Sequence, residues 1–366
     1  MNCYVCDVEL INENETEEHI ILNAIGGKLK SKKLICKVCN SNFGGRIDDS
    51  LAKQLNLIAN LLNIKRERGK PQNETVKYGE REISLMPGGK LKLLKPEISE
   101  GESFIHIEAS SEKQLRQALK GQKRKYASIN VEREINTAKM IKSYLPSMTI
   151  EMKFGGEDTK RALCKMAINY YVYNGGMTED VKHLLPYIQG DEKEAEFYFM
   201  YPKSELFYKG KDDVLHTLIL IGDPKTKQLY VYIELFNEFK AVVYINKEYN
   251  GEEIYESYHY NVVTNQVITY EEKVKIPPQQ LKRYTSKNID LKRFHERMKY
   301  LVQRIDNIVV DRRISEIISD GIKAMQEKYP QEEYPIFTEE MINFLANKIG
   351  KEFVLAFQNR WLKQEV

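Results

Sequence analysis

No run of 18 or more apolar residues occurs anywhere in the 366-residue sequence, which excludes an ordinary membrane-spanning helix. The chain does not open on a charged segment followed by an apolar one, so no signal peptide is expected and the reading is a cytoplasmic protein with no membrane partner. Internal repeats and low-complexity tracts are absent. The formal net charge is only +3, a balance that by itself points to no partner. Cysteine is scarce, five in all, yet four of the five fall within the first 39 residues.

Those four form two Cys-x-x-Cys pairs, Cys3 with Cys6 and Cys36 with Cys39, separated by 29 residues. Each pair sets two thiolates on one knuckle, and two knuckles complete a tetrahedral four-sulfur site, so the pattern predicts structural Zn²⁺. The alternatives are two disulfides or a redox motif. Disulfides need an oxidising compartment, and a redox pair belongs on a strand-to-helix turn inside a βαβ unit, which neither pair has.

A closed zinc site performs no chemistry, so attention moves to the loop it holds. Glu18 and His19 sit side by side at the start of Glu18-His19-Ile20-Ile21-Leu22, whose apolar residues predict a short strand. Gly26-Gly27 permits a sharp reversal, Leu34-Ile35 reads as the returning strand, and Cys36 to Phe43 as the start of a helix carrying Asn40 in its first turns. The result is a hairpin followed by a helix.

The residues Thr16-Glu17-Glu18-His19-Ile20-Ile21, Gly26-Gly27 and Leu34-Ile35-Cys36-Lys37-Val38-Cys39-Asn40 resemble the HNH endonuclease family, in its four-cysteine, zinc-containing branch with the ββα-metal fold. The resemblance covers about residues 1–50. It implies His19 as the general base that activates water, and Glu18 and Asn40 as ligands of a catalytic Mg²⁺ or Mn²⁺ distinct from the structural zinc. This chemistry is self-consistent: a neutral imidazole can take a proton from water, while a hard cation held by carboxylate and amide oxygens stabilises phosphate charge. The sequence departs from the family pattern at Ser31, where the family has an Asn that orients the loop, and at Leu22, where many members have Pro.

The modest net charge conceals a local asymmetry. Residues 1–27 carry six acids and no Lys or Arg, whereas residues 28–70 carry eleven Lys or Arg against three acids. Such a split suits a cleft with one metal-binding and one phosphate-binding wall. Arg46, Arg66 and Arg68 are candidate phosphate contacts, as are Lys123, Arg124 and Lys125 at the end of a basic helix predicted from Ser111. The competing reading of each is a solvated surface charge.

Beyond residue 46, the apolar spacing of Ile47, Leu51, Leu55, Ile58, Leu61 and Leu62 predicts a connecting helix with Asp48 and Asp49 near its start. Short β-like runs follow to residue 109, then an amphipathic-to-buried helix over 158–173 in which Cys164 is a core residue rather than a ligand. Six strands between residues 197 and 270 predict an antiparallel meander, with His216 and His259 packed inside strands. The tail, from Pro277-Pro278, reads as helices running to Trp361. The expected class is therefore α+β. A small N-terminal ββα-metal zinc module (1–50) and a helical connector (51–74) lead into a mixed region (75–190), an antiparallel β-rich region (191–275) and a helical C-terminal region (276–366).

The functional expectation is a divalent-metal-dependent endonuclease hydrolysing phosphodiester bonds in DNA, with RNA left open. The remaining chain would act in recognition or regulation, by analogy of layout in bacterial defence, including with a short Argonaute-like protein. An activating protein or nucleotide partner and a homo-oligomer are compatible with this. The alternative is a zinc-containing nucleic-acid-binding or assembly protein whose nuclease centre is inactive.

Overall fold

In the computed structural model, residues 1–78, 81–141 and 151–361 are described. The elements in chain order are β1 (Glu18–His19), β2 (Lys30–Ser31), α1 (Lys37–Phe43), a π turn (Gly44–Asp48), α2 (Asp49–Leu61), β3 (Glu74–Tyr78), β4 (Arg81–Met86), β5 (Lys90–Leu93), β6 (Glu97–Glu100) and β7 (Ile105–Glu108). There follow α3 (Glu112–Lys123), α4 (Val131–Thr137), α5 (Glu157–Tyr173), α6 (Leu185–Gln189), β8 (Phe197–Met200), β9 (Leu215–Asp223), β10 (Gln228–Leu235), β11 (Phe239–Asn246), β12 (Ile254–Asn261) and β13 (Gln266–Ile268). The chain closes with α7 (Pro278–Tyr284), β14 (Thr285–Ser286), α8 (Leu291–Lys328) and α9 (Glu339–Trp361). Mixed helix and antiparallel sheet make the class α+β, as the sequence predicts.

Two compact units divide the chain, each assembled from two separate stretches: Met1–Gln72 with Met152–Asn307, and Asn73–Glu151 with Ile308–Val366. In the first, a seven-stranded antiparallel sheet runs in the order β13-β12-β9-β10-β11-β8-β14. Its central strand β10 is almost wholly buried, which requires cover on both faces. One face, carrying Ile219, Tyr230, Tyr232, Val242 and Tyr244, is covered by Val274, Ile276 and Leu281. Helix α5 packs on β9, β10 and β11, and also against the π turn and α2 of the N-terminal module. Residues Ala162 to Val172 of α5 are all buried. A helix enclosed all round in this way is an interior layer rather than a surface helix.

The six strands expected between 197 and 270 are all present within a few residues of their predicted limits. The returning strand of the N-terminal hairpin differs. It is Lys30–Ser31, paired with Glu18–His19, and not Leu34–Ile35. Leu34 and Ile35 are instead buried core residues, and the Leu34 carbonyl accepts from the Tyr4 N–H at 3.1 Å. Their apolar character marks burial under the cysteine knuckle, and the polar pair before them makes the ladder.

The second unit holds a three-stranded sheet, β3-β4-β5, a β6-β7 hairpin, and α3 and α4. Ser111 caps α3, its hydroxyl accepting from the Gln114 N–H. Met325, Tyr329 and Met341 form a small apolar cluster with Phe344 and Leu345 where the end of α8 meets α9.

Candidate active site

The two knuckles do converge. The Sγ atoms of Cys3, Cys6, Cys36 and Cys39 all lie within 4.8 Å of one another, and all four cysteines are unbridged. Cys6 Sγ and Cys36 Sγ are 3.8 Å apart. Zn–S bonds of about 2.3 Å at tetrahedral angles put neighbouring sulfurs about 3.8 Å apart, so the donor set and its spacing fit zinc. Cys164 takes no part: it is fully buried in α5, where burial pushes its thiol up to about 12.

Between the knuckles, the β1-β2 hairpin sets Glu18 opposite Ser31 and His19 opposite Lys30. The reversal depends on glycine at two positions. Gly26 has φ +96°, and a Cβ on Gly27 would stand 1.8 Å from the Ile21 carbonyl oxygen. Ser31, at the departure from the family pattern, accepts from the Lys33 N–H at 3.1 Å and so ties the turn after β2. The loop is also held from the sheet. His216 of β9 accepts at Nδ1 from the Phe236 N–H (3.2 Å) and therefore donates from Nε2 to the Ile25 carbonyl (2.9 Å). Burial lowers its pKa to about 4, which keeps it in this neutral tautomer. His259 is also a packed strand histidine, hydrogen-bonded to Thr217.

His19 is partly buried, and desolvation lowers its pKa despite the nearby Glu67 carboxylate. Its Nε2 stands 3.4 Å from Glu67 Oε2 but makes no directed hydrogen bond. The imidazole is thus held neutral near pH 7, with Nε2 buried beside the Glu67 carboxylate. Glu18 is buried, and its partners are on α5. Lys165 Nζ lies 2.6 Å from Glu18 Oε1, and Asn169 Nδ2 donates to the same oxygen at 2.9 Å. The Tyr4 hydroxyl, inside the first cysteine knuckle, donates to Asn169 Oδ1 at 2.7 Å, which fixes that amide so that its nitrogen faces Glu18.

Lys165 Nζ also lies 2.6 Å from Asp48 Oδ2. Burial would strip the Lys165 proton, but the two carboxylates outweigh it and the pKa ends above the ordinary lysine value. The Glu18 pKa is raised as well, but here burial is the cause, helped by the Asp48 carboxylate and opposed by Lys165 and Asn169.

Glu18, His19, Asn40 and Asp48 line one open pocket of about 280 Å³. Asn40 donates from Nδ2 to Thr16 Oγ1 at 3.1 Å, which leaves its amide oxygen as the acceptor end. A neutral base and a set of hard oxygen donors thus share one cleft, and that donor set fits a divalent cation of the Mg²⁺ or Mn²⁺ kind.

The basic candidates are scattered. Arg46 donates to the Ile188 and Gln189 carbonyls at the end of α6, and Arg66 is half-buried and donates to Asn56 Oδ1. Arg68 is exposed. Lys123, Arg124 and Lys125 belong to the other compact unit, where Lys125 pairs with Glu100. Sequence reasoning missed Lys165, Asn169 and Tyr4, and read Asp48 only as a helix-start charge. Lys165 lies in an otherwise apolar stretch of α5, Leu163-Cys164-Lys165-Met166-Ala167, and a lysine there was the available signal of a buried pair.

Compared with known proteins, residues 3–56 match the family model described as HNH endonuclease. No curated protein and no solved structure matches the chain. The match spans both cysteine knuckles, the Glu18-His19 hairpin, Asn40 and most of α2. Residues 3–56 are therefore an HNH endonuclease domain, tied together by a four-cysteine site that fits zinc.

Proposed function

We propose that the chain is a divalent-metal-dependent endonuclease that hydrolyses phosphodiester bonds in DNA, with His19 as general base and Glu18 and Asn40 as ligands of the catalytic cation. The observation that carries this reading is the convergence of these three side chains in one open pocket beside the four-cysteine site. His19, kept neutral by partial burial, accepts a proton from the attacking water. Glu18 is held in place through Oε1 by Lys165 and Asn169, and Asn40 through its amide nitrogen by Thr16. A divalent cation bound there would supply Lewis-acid stabilisation of the phosphate and of the leaving 3′ oxygen. Attack by water on phosphorus with loss of that oxygen leaves 5′-phosphate and 3′-hydroxyl ends.

The inactive-centre alternative rested on Ser31, and the hydrogen bond that its hydroxyl accepts from Lys33 supports a loop still held in shape. The rest of the chain is read as a recognition or regulatory part. Phosphate contacts in a module this small carry little sequence information, so target choice falls to the attached region. A defence role with an activating partner is in keeping with that division of labour.

Incubation of the zinc-loaded protein with supercoiled DNA and with RNA of matched sequence tests the proposal. Nicked or linear DNA with ligatable 5′-phosphate ends, formed with Mg²⁺ or Mn²⁺ and suppressed by EDTA, is the expected result. Cleavage confined to RNA, or insensitive to EDTA, would overturn it.

A further inference from the structure

Asp48 is buried, and only one of its two carboxylate oxygens is satisfied. Oδ2 meets Lys165 Nζ at 2.6 Å, whereas Oδ1 is buried without a hydrogen-bond partner. A native structure rarely leaves a carboxylate oxygen buried and unpaired, and such an atom calls for an explanation. Asp48 lines the same pocket as Glu18, His19 and Asn40. The two carboxylates are arranged alike: on Glu18 the contacts from Lys165 and Asn169 both fall on Oε1. One lysine therefore holds one oxygen of each acid.

The backbone between Asn40 and Asp48 brings the two onto a common face. Eight residues of regular α-helix overshoot two full turns by about 80°. Here the second half of that interval is the π turn Gly44–Asp48, whose wider i→i+5 winding removes part of the overshoot. Gly44 and Gly45 sit inside this turn with open space around the position of an added Cβ. Single π turns inside helices are frequent at functional sites, where they re-aim a side chain.

We infer that Asp48 is a further ligand of the catalytic divalent cation, offering Oδ1 beside Glu18 and Asn40, and that Lys165 is the positioning residue that turns both carboxylates toward the ion. With Lys165 protonated the two acids retain one net negative charge, and the three side chains present hard oxygen donors, the set that Mg²⁺ and Mn²⁺ take. The inference rests on the nuclease reading for the identity of the site, but its test does not require cleavage.

The test is Mn²⁺ binding to the full-length, zinc-loaded protein without nucleic acid, followed by electron paramagnetic resonance and calorimetry. In Asp48→Asn the amide oxygen stays on Lys165, because an ammonium has no acceptor, so the amide nitrogen replaces Oδ1 and cannot bind a cation. Mn²⁺ affinity should fall tenfold or more, with zinc content and circular dichroism unchanged. Asp49→Asn removes the same charge from the same pocket rim, where Asp49 pairs with exposed Lys53, and should shift affinity less than threefold. Wild-type Mn²⁺ affinity in folded Asp48→Asn, equal losses in the two variants, or no Mn²⁺ binding by the wild type would each overturn the inference. Loss of Mn²⁺ in Asp48→Asn together with a wild type that cuts no nucleic acid would uphold the cation site and reject the nuclease. Cleavage by the wild type with undiminished Mn²⁺ binding in Asp48→Asn would do the reverse.

Discussion

At the scale of single residues, two histidines in the same unit serve opposite ends through the same physics. Both are desolvated and both are held neutral, but His216 has its two nitrogens hydrogen-bonded while His19 Nε2 lies beside the Glu67 carboxylate without a directed hydrogen bond. The first is therefore a strut, and the second is the residue proposed above as the base. Because burial lowers the His19 pKa, the imidazole stays unprotonated below the ordinary 6.5. The acid limb of a pH–rate profile should accordingly inflect below pH 6.5, and an inflection above it would contradict the assignment. For His216 the folded pKa of about 4 lies below the ordinary 6.5, so its stabilisation is complete above pH 6.5. It is lost as pH falls from 6.5 toward 4, by up to about 3 kcal/mol. Denaturant titrations at pH 7.5 and 4.5 should show a smaller pH dependence in His216→Gln than in the wild type. The sequence read His216 as packed inside a strand, and the structure adds the partners that hold it, the Ile25 carbonyl and the Phe236 N–H; His19 was singled out by the cysteine pairs and Glu18 around it.

At the scale of elements, α5 is the part of the site that the sequence hid. Its periodicity announced a buried helix, and the helix is there. What periodicity could not say is that Lys165 and Asn169 would reach across more than a hundred positions of sequence to Asp48 and Glu18. Long-range pairing of polar residues leaves no local pattern, whereas cysteine spacing and a double glycine do. Lys165→Met should leave two buried carboxylates unpaired and cost about 3–5 kcal/mol, read as a drop in the denaturation midpoint. A change below about 1 kcal/mol would mean that the pairing is not made. The hairpin offers a second check. Gly27→Ala drives a methyl group into the Ile21 carbonyl, so it should lower thermal stability, and an unchanged midpoint would contradict the geometry. Cys36→Ser should release zinc, and with it much of the folding energy of a module whose isolated counterparts gain on the order of 10 kcal/mol from metal. Retained stability in metal-free protein would exclude a structural role for the ion.

Across the whole molecule, the N-terminal module is not an appendage. Its acids are paired from α5, its loop carbonyl at Ile25 is bonded from the sheet, and its residues fall in one compact unit with residues 152–307. The discontinuous make-up of both units explains why linear composition gave a serviceable list of strands and helices but could not say which belong together. A chain lacking residues 1–72 would leave Lys165 buried without either carboxylate, and should be recovered unfolded or insoluble; a soluble product with native circular dichroism would show that the layers are independent.

The central claim is that His19 is the base of a metal-dependent nuclease, and cleavage of supercoiled plasmid by the wild type and His19→Ala, with zinc quantified in both, tests it most directly. The account predicts nicking or linearisation by the wild type with Mg²⁺ or Mn²⁺, none with EDTA, and none by His19→Ala at equal zinc content. Undiminished cleavage by His19→Ala at equal zinc content, or wild-type cleavage that EDTA leaves unchanged, would contradict it.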